Sequence, residues 1–229
     1  MPTVSGRGRA RKVARNVVPR KTVKRSTPDD VRRIPAQRRS QDKLQLMLRC
    51  ATRLVIDHDP QAVSTTMIAA ASGVSVGWIY RYFPDKEAIF DQILVDALNR
   101  LDARLEEVNF RIDVKDWRQA VAQGIDTIIA FVADDAAFRK LWFSSMLTAH
   151  MVAANRAHDT NLAKQLAKQL PPHVKASRDR DPVDIGEVFF GIIDKGVDLA
   201  FQGGDPHGDP RIVEEVKIAA VRYLESYLE

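Results

Sequence analysis

Residues 63–86 read VSTTMIAAASGVSVGWIYRYFPDK, and two short helices separated by a tight turn can be read from them. Ser64 stands ahead of Thr65-Thr66-Met67-Ile68-Ala69-Ala70-Ala71, where a hydroxyl can accept from the first free amides of a helix. Ser72-Gly73 ends that helix, because glycine adopts the left-handed conformation that closes one helix and opens a turn. Ser75 then caps a second helix through Val76, Gly77, Trp78, Ile79, Tyr80, Arg81, Tyr82 and Phe83. That helix must stop near Pro84, since proline supplies no amide and restricts the residue before it. A short helix, a glycine turn and a second helix of barely two turns make a helix-turn-helix, placed here at about residues 64–83. Its second member has the size to lie in a major groove.

On the N-terminal side, Leu44, Met47, Leu48, Ala51, Leu54 and Val55 recur at spacings of three and four and mark an amphipathic helix that should stop at Asp57-His58-Asp59-Pro60. On the other side, Asp85 caps a longer helix carrying Ala88, Ile89, Ile93, Leu94, Ala97 and Leu98 on one face. Beyond Asp113 the pattern stays helical. Trp117, Val121, Ile125, Ile128 and Val132 form one stripe, Phe138, Leu141, Trp142, Ser145 and Met146 another, and Leu162, Leu166 and Leu170 a third. Residues 171–184, with Pro171-Pro172 and Arg178-Asp179-Arg180-Asp181-Pro182, read as a loop. Two last helices carry Ile185 to Ala200 and Val213 to Tyr227, and the Gly203–Pro210 segment breaks the backbone between them. The fold class is therefore all-α, with a three-helix helix-turn-helix domain followed by a larger helical domain. The boundaries fall at 1–34 for a tail, 35–99 for the first domain and 100–229 for the second.

The net charge of +5 is a property of the leader. Residues 1–40 carry thirteen Lys or Arg against two Asp, so the remainder of the chain is net acidic. Arg7, Arg9, Arg11, Lys12, Arg15, Arg20, Lys21, Lys24 and Arg25 sit among Pro, Gly, Ser and Thr with too little apolar surface to order a fold. Such a block serves either as a solubilising leader or as an arm that touches phosphates. The single Cys50 closes no internal disulfide, no apolar run is long enough for a span, and no secretory signal is visible. We therefore expect a soluble protein of the bacterial cytoplasm that makes no membrane contact.

Gly73-Val74-Ser75, Gly77, Tyr80, Phe83 and Lys86 together resemble the helix-turn-helix of the tetracycline-repressor (TetR) family, where a Gly-Val-Ser turn leads into a recognition helix ending Tyr-x-x-Phe and a lysine follows. Cys50-Ala51 with Leu54 is similar to the small-small-Leu pattern of that family's first helix, which extends the resemblance over residues 39–99. The resemblance implies that the part from about residue 100 binds a small effector and dimerises. Val76 and Trp78 depart from the family's usual choices at two reading positions, so the operator is not borrowed from a relative. Asp59 stands where relatives often turn with glycine.

The residue chemistry agrees. Hydroxyls of Ser64, Thr65, Thr66 and Ser75, with helix-start amides, can meet phosphate oxygens. Gly77 lets the backbone approach a duplex. Trp78, Arg81 and Tyr82, flanked by Val76 and Tyr80, are expected to project outward, with Arg81 pairing to guanine and Trp78 touching thymine methyls or sugar. Lys86 would hold the phosphate backbone. Phe83 reads as core, and Tyr80 can serve both roles. Trp117, Phe131, Trp142, Met146, Phe189 and Phe190 either line an effector pocket or are ordinary core. Gly186, Gly191, Gly196 and Ala200 permit close approach and suit a four-helix interface between two protomers through the last two helices.

His58, His150, His158, His173 and His207 fall in no metal-ligand spacing, and no Gly-x-Ser-x-Gly nucleophile motif occurs. Cys50 reads as a buried small residue. We therefore expect no enzyme and no cofactor. The expected function is a sequence-specific, dimeric DNA-binding regulator, a repressor released by a small-molecule effector. The competing readings are a nonspecific architectural DNA-binding protein using the tail and a helical enzyme.

Overall fold

The computed structural model describes residues 38–108, 115–170 and 181–228. The basic tail assigned to residues 1–34, and residues 171–180 of the expected loop, lie outside the described residues. Every regular element among them is a helix, as the all-α class requires. These are α1 (Arg38–Asp57), α2 (Thr65–Ser72), α3 (Val76–Ile79), α4 (Lys86–Val108), α5 (Trp117–Asp134), α6 (Ala136–Trp142), α7 (Ala149–Gln169), α8 (Pro182–Phe201) and α9 (Pro210–Leu228).

The helix ends are set by identifiable chemistry. The Ala88 amide donates to Asp85 Oδ1 at 2.8 Å at the start of α4, and the Phe138 amide to Asp135 Oδ1 at 2.9 Å at the start of α6. The expected loop through residue 184 is shorter than the sequence suggested. Asp181 accepts from the Val183 amide at 2.9 Å, and Pro182 occupies the first helical position, where a missing amide costs nothing.

The helix-turn-helix end is a small core of α1, α2, α3 and the start of α4, centred on Met47, Ala51, Ile68, Ile79, Phe83 and Ile89. Each large apolar side chain there contributes about 1.5–3 kcal/mol by leaving water. In the larger part, α5 packs on α4 and α9, α7 on α8, and α8 on α9. The last two seams close through glycine. A Cβ on Gly186 would meet the Ala163 backbone of α7 at 2.7 Å, and one on Gly196 would collide with the Val216 side chain of α9. These two glycines therefore serve packing within one chain, and Ala200 is buried there too; only Gly191 faces open space. The expectation that all four bring two protomers together is corrected accordingly.

Candidate nucleic-acid interface and candidate effector cavity

The reading head is built by two serine caps and one glycine. Ser64, in extended backbone, accepts from the Met67 amide at 3.2 Å, and Ser75 accepts from the Trp78 amide at 3.1 Å. Gly73 sits at φ 69°, returns its N–H to Ala69 O and so turns the chain into α3. A Cβ on Gly73 would touch no described atom, so the glycine is required there by its dihedral and not by crowding.

The second helix is shorter than the expected run through Phe83. Beyond Ile79 the chain tightens, with the Arg81 amide on Trp78 O at 3.3 Å and the Tyr82 amide on Ile79 O at 2.9 Å. Tyr82 thereby falls over buried Ile79 and is itself only 8 % exposed. The outward projection expected for Tyr82 is wrong: three residues on from a core position, a side chain shares the core face. Trp78 is half-buried and tilts against Tyr82 with ring centroids 4.7 Å apart. The exposed members of the expected set are Thr66, Ser75, Gly77, Tyr80 and Arg81, while Ser64, Thr65 and Val76 are half-buried. Tyr80 Oη stands 3.2 Å from Thr65 Oγ1, bridging the start of α2 to the end of α3.

Lys86 is not a free cation. Its ammonium donates to Gln61 O at 2.8 Å, Val63 O at 3.0 Å and Pro60 O at 3.5 Å, and lies 5.9 Å from the Phe90 ring centroid. Those three acceptors match the three donors of an ammonium, so Lys86 clamps α4 to the loop that feeds α2. The expected phosphate role would have to share a group already committed to the protein. Asp59 makes the turn before it, accepting from the Gln61 amide at 2.8 Å. Cys50, expected to be buried, is half-buried, and its Sγ donates to Ala71 O at 3.4 Å.

Further ties run from the head to the rest of the molecule. Lys140 of α6 donates to Ile56 O at 2.7 Å and His58 O at 3.1 Å, a cation on the carbonyl end of α1. Gln61 Nε2 donates to Ser145 Oγ at 2.8 Å. Buried Asp91 of α4 accepts from Thr148 Oγ1, 2.9 Å from each carboxylate oxygen, and Thr148 in turn caps α7. Burial raises the Asp91 carboxyl above its ordinary range, against the opposing hydroxyl of Thr148 and the charge of His150.

A cavity of about 550 Å³ opens between the second half of α4, the first two-thirds of α5, the second half of α7 and the middle of α8. Apolar walls come from Leu105, Val108, Val121, Ile125, Ile128, Leu162, Leu166, Phe189, Phe190 and Ile193. Polar groups come from Asp102, Glu106, His158, Asn161, Gln165 and Gln169. Of the expected lining residues only Phe189 and Phe190 are here. Trp117 is core with Arg118 stacked 4.6 Å over its ring. Phe131 meets Phe138 edge-on at 5.5 Å, and Trp142 stacks on Phe138 at 5.1 Å. Met146 packs on the same core beyond α6. These four positions pack against other side chains and do not line the cavity. The polar lining was missed, although His158, Asn161, Gln165 and Gln169 repeat at three and four beside the apolar stripe of α7, a pattern that marks a wetted wall.

A capped helix-turn-helix carried by a helical core with an internal cavity defines a helix-turn-helix transcriptional regulator. The sequence matches the family described as "Bacterial regulatory proteins, tetR family" over residues 47–93 and "Tetracyclin repressor-like, C-terminal domain" over residues 115–228. This chain belongs to the tetracycline-repressor family, and it is a DNA-binding regulator of transcription, not an enzyme. It is 28 % identical over 147 residues to the HTH-type transcriptional regulator BetI of Vibrio campbellii, covering 62 % of this chain and 71 % of that one. Among solved structures, a TetR-family regulator from Streptomyces coelicolor superposes with a TM-score of 0.57 at 24 % identity, over 81 % of this chain and 99 % of the other. The fatty acid degradation regulator FadR of Bacillus halodurans does so with 0.57 at 18 % identity, over 78 % and 94 %. At those identities the two structures show the shared fold alone. Among the described residues no helix is long and apolar enough to cross a membrane.

Proposed function

We propose that the protein is a homodimeric repressor that occupies an operator with two reading heads and leaves it when a small molecule enters the cavity. The observation that carries this reading is α4. Lys86 at its first turn clamps the loop before α2, and Asp102, Leu105 and Glu106 of the same helix line the cavity. Sixteen residues separate Lys86 from Asp102, about 24 Å along one helix. A ligand that wedges one end of a rod tilts the other. It does so only to the extent that it prefers the tilted state over the DNA-bound one. Asp91–Thr148 and the Lys140 contacts give the tilt two further routes into the head.

On the DNA, Arg81 is the base-reading side chain, Trp78 flanks it, and Gly77 lets α3 approach. Thr65, Thr66, Ser75, Tyr80 and the free amides at the start of α2 meet phosphates. Ser64, Val76 and Lys86 hold these groups in place. One head reads too few base pairs for selectivity, so two are needed about 34 Å apart. The outer face of α8 and α9 supports the pairing: Val188, Leu199 and Ile218 are exposed there, and Gly191 leaves room for a facing helix. No cofactor enters this mechanism beyond the effector.

The test is competition between a palindromic fragment from the chromosomal neighbourhood and random DNA of equal length. The reading requires a preference of about 10³-fold or more for the palindrome and a stoichiometry of two chains per site. Equal affinity for both would leave an architectural protein instead.

A further inference from the structure

The cavity has a one-sided charge pattern. Asp102 and Glu106 stand one turn apart on α4 and both line it, while its described lining contains no lysine or arginine. The arginines nearest on α4 are engaged elsewhere: Arg100 lies 2.6 Å from Asp135, and Arg104 lies 3.6 Å from Asp134 and over the Phe131 ring. Asp102 meets His158 Nε2 at 3.1 Å, with about a third of each side chain still exposed. On α8 the same cavity meets Phe189 and Phe190, their rings edge to face at 5.1 Å.

We propose that the cavity takes a lipophilic organic cation, a quaternary or protonated amine on an apolar body, with Asp102 and Glu106 as its counter-charges and Phe189 and Phe190 against its flank. The proposal rests on reading the cavity as the effector site. An apolar guest of any charge is welcomed by the Leu, Ile and Val walls. Closing over a neutral guest strips water from two carboxylates without replacing it, and an anion adds repulsion. A cation restores what the carboxylates lose and gains from an aromatic face. The Asp102 carboxyl already reflects that deficit: desolvation holds it above its ordinary range and Glu106 adds to the rise, against the opposing pull of His158.

The experiment titrates the full chain calorimetrically with three probes of one apolar body, octyltrimethylammonium, 1-octanol and octanoate. Octyltrimethylammonium should bind about tenfold or more tighter than octanoate. Asp102→Asn and Glu106→Gln should each cut that preference severalfold, while octanol affinity stays within about twofold because the walls are intact. Glu106 is exposed, so its variant tests the charge without threatening the fold, and Asn at 102 keeps an acceptor for His158. Octanoate binding as tightly as the cation, or a preference that survives in the double variant, overturns the cation assignment while leaving the effector cavity standing. Failure of all three probes to bind or to shift the melting temperature overturns both.

Discussion

The reading head and the helical core are made of the same kind of element and held together in different ways. In the head, α2 and α3 span eight and four residues, and their ends are set by contacts between residues no more than four places apart: Ser64 on Met67, Gly73 on Ala69, Ser75 on Trp78. In the core, α7, α8 and α9 span about twenty residues each, and their arrangement depends on contacts far apart in the chain, such as Gly186 against Ala163 and Gly196 against Val216. Local chemistry sets the head, and remote shape complementarity sets the core. Glycine shows the difference most directly, since it supplies a dihedral at Gly73, a bare surface at Gly77 and a close helix seam at Gly186.

The contrast breaks most visibly at Gly186. Gly186→Val forces the α8 backbone off Ala163 and should cost about 3 kcal/mol, at the upper end of overpacking penalties. At this chain length that lowers the melting temperature by roughly 6–12 °C. Operator affinity of the folded fraction should hold; a wild-type melting temperature would mean that the α7–α8 seam is loose. Arg81→Ala should do the converse, leaving calorimetric stability within about 0.5 kcal/mol because the side chain is exposed. Operator affinity should fall by about 1–3 kcal/mol, about five- to 150-fold, with less loss on random DNA. Equal losses on both DNAs would move Arg81 from base to phosphate.

Lys86 sharpens the comparison, because it belongs to both halves. Lys86→Met removes donations to three loop carbonyls and should lower stability by about 1–2 kcal/mol. If the ammonium is committed to the clamp, the slope of log affinity against log salt stays as it was. A slope reduced by about one would show that it also reaches a phosphate. Gly77→Ala should be smaller still and of opposite sign on the two readouts. The added methyl meets no described atom, so helix propensity favours it by up to about 1 kcal/mol, while operator affinity drops if α3 needs the bare backbone against the groove.

What was legible in the sequence follows the same division. Both serine caps, the turn at Gly73 and the Asp85 cap could be read because each is an interaction between near neighbours, whereas Pro84 pointed to a helix end later than the one at Ile79. The helical stripes of the core were readable as stripes, since periodicity reports which face is buried. It does not report against what. Phe131 and Trp142 looked as pocket-like as Phe189 and Phe190, and only the apposition of α6 with α5 distinguishes filled from open. Asp102 and His158 lie 56 positions apart, and no local pattern announces that they meet. Tyr82 was misread for a different reason: its distance from Ile79 was sufficient to place it inward.

The smallest expected effect sits on the α7–α8 seam. Asp194 of α8 and Asp159 of α7 face one another, and Asn155 Nδ2 donates to both, at 3.3 and 3.1 Å. Desolvation first, and then the Asp159 charge, push the Asp194 carboxyl from 3.8 up to about 7. A folded-state value above the unfolded one means that the folded protein holds a proton the unfolded chain has released. The resulting stability is fully present below the ordinary carboxylate range, declines as pH rises toward about 7, and is absent above it. Asp194→Asn removes the titration but keeps a donor toward Asp159. Its melting temperature should therefore gain on the wild type between pH 4 and 7 and keep that gain at pH 8. Because Asp194 retains much of its surface in water, the divergence should be modest. Parallel curves across that window would mean that the two carboxyls do not share a proton, and that this seam owes nothing to their titration.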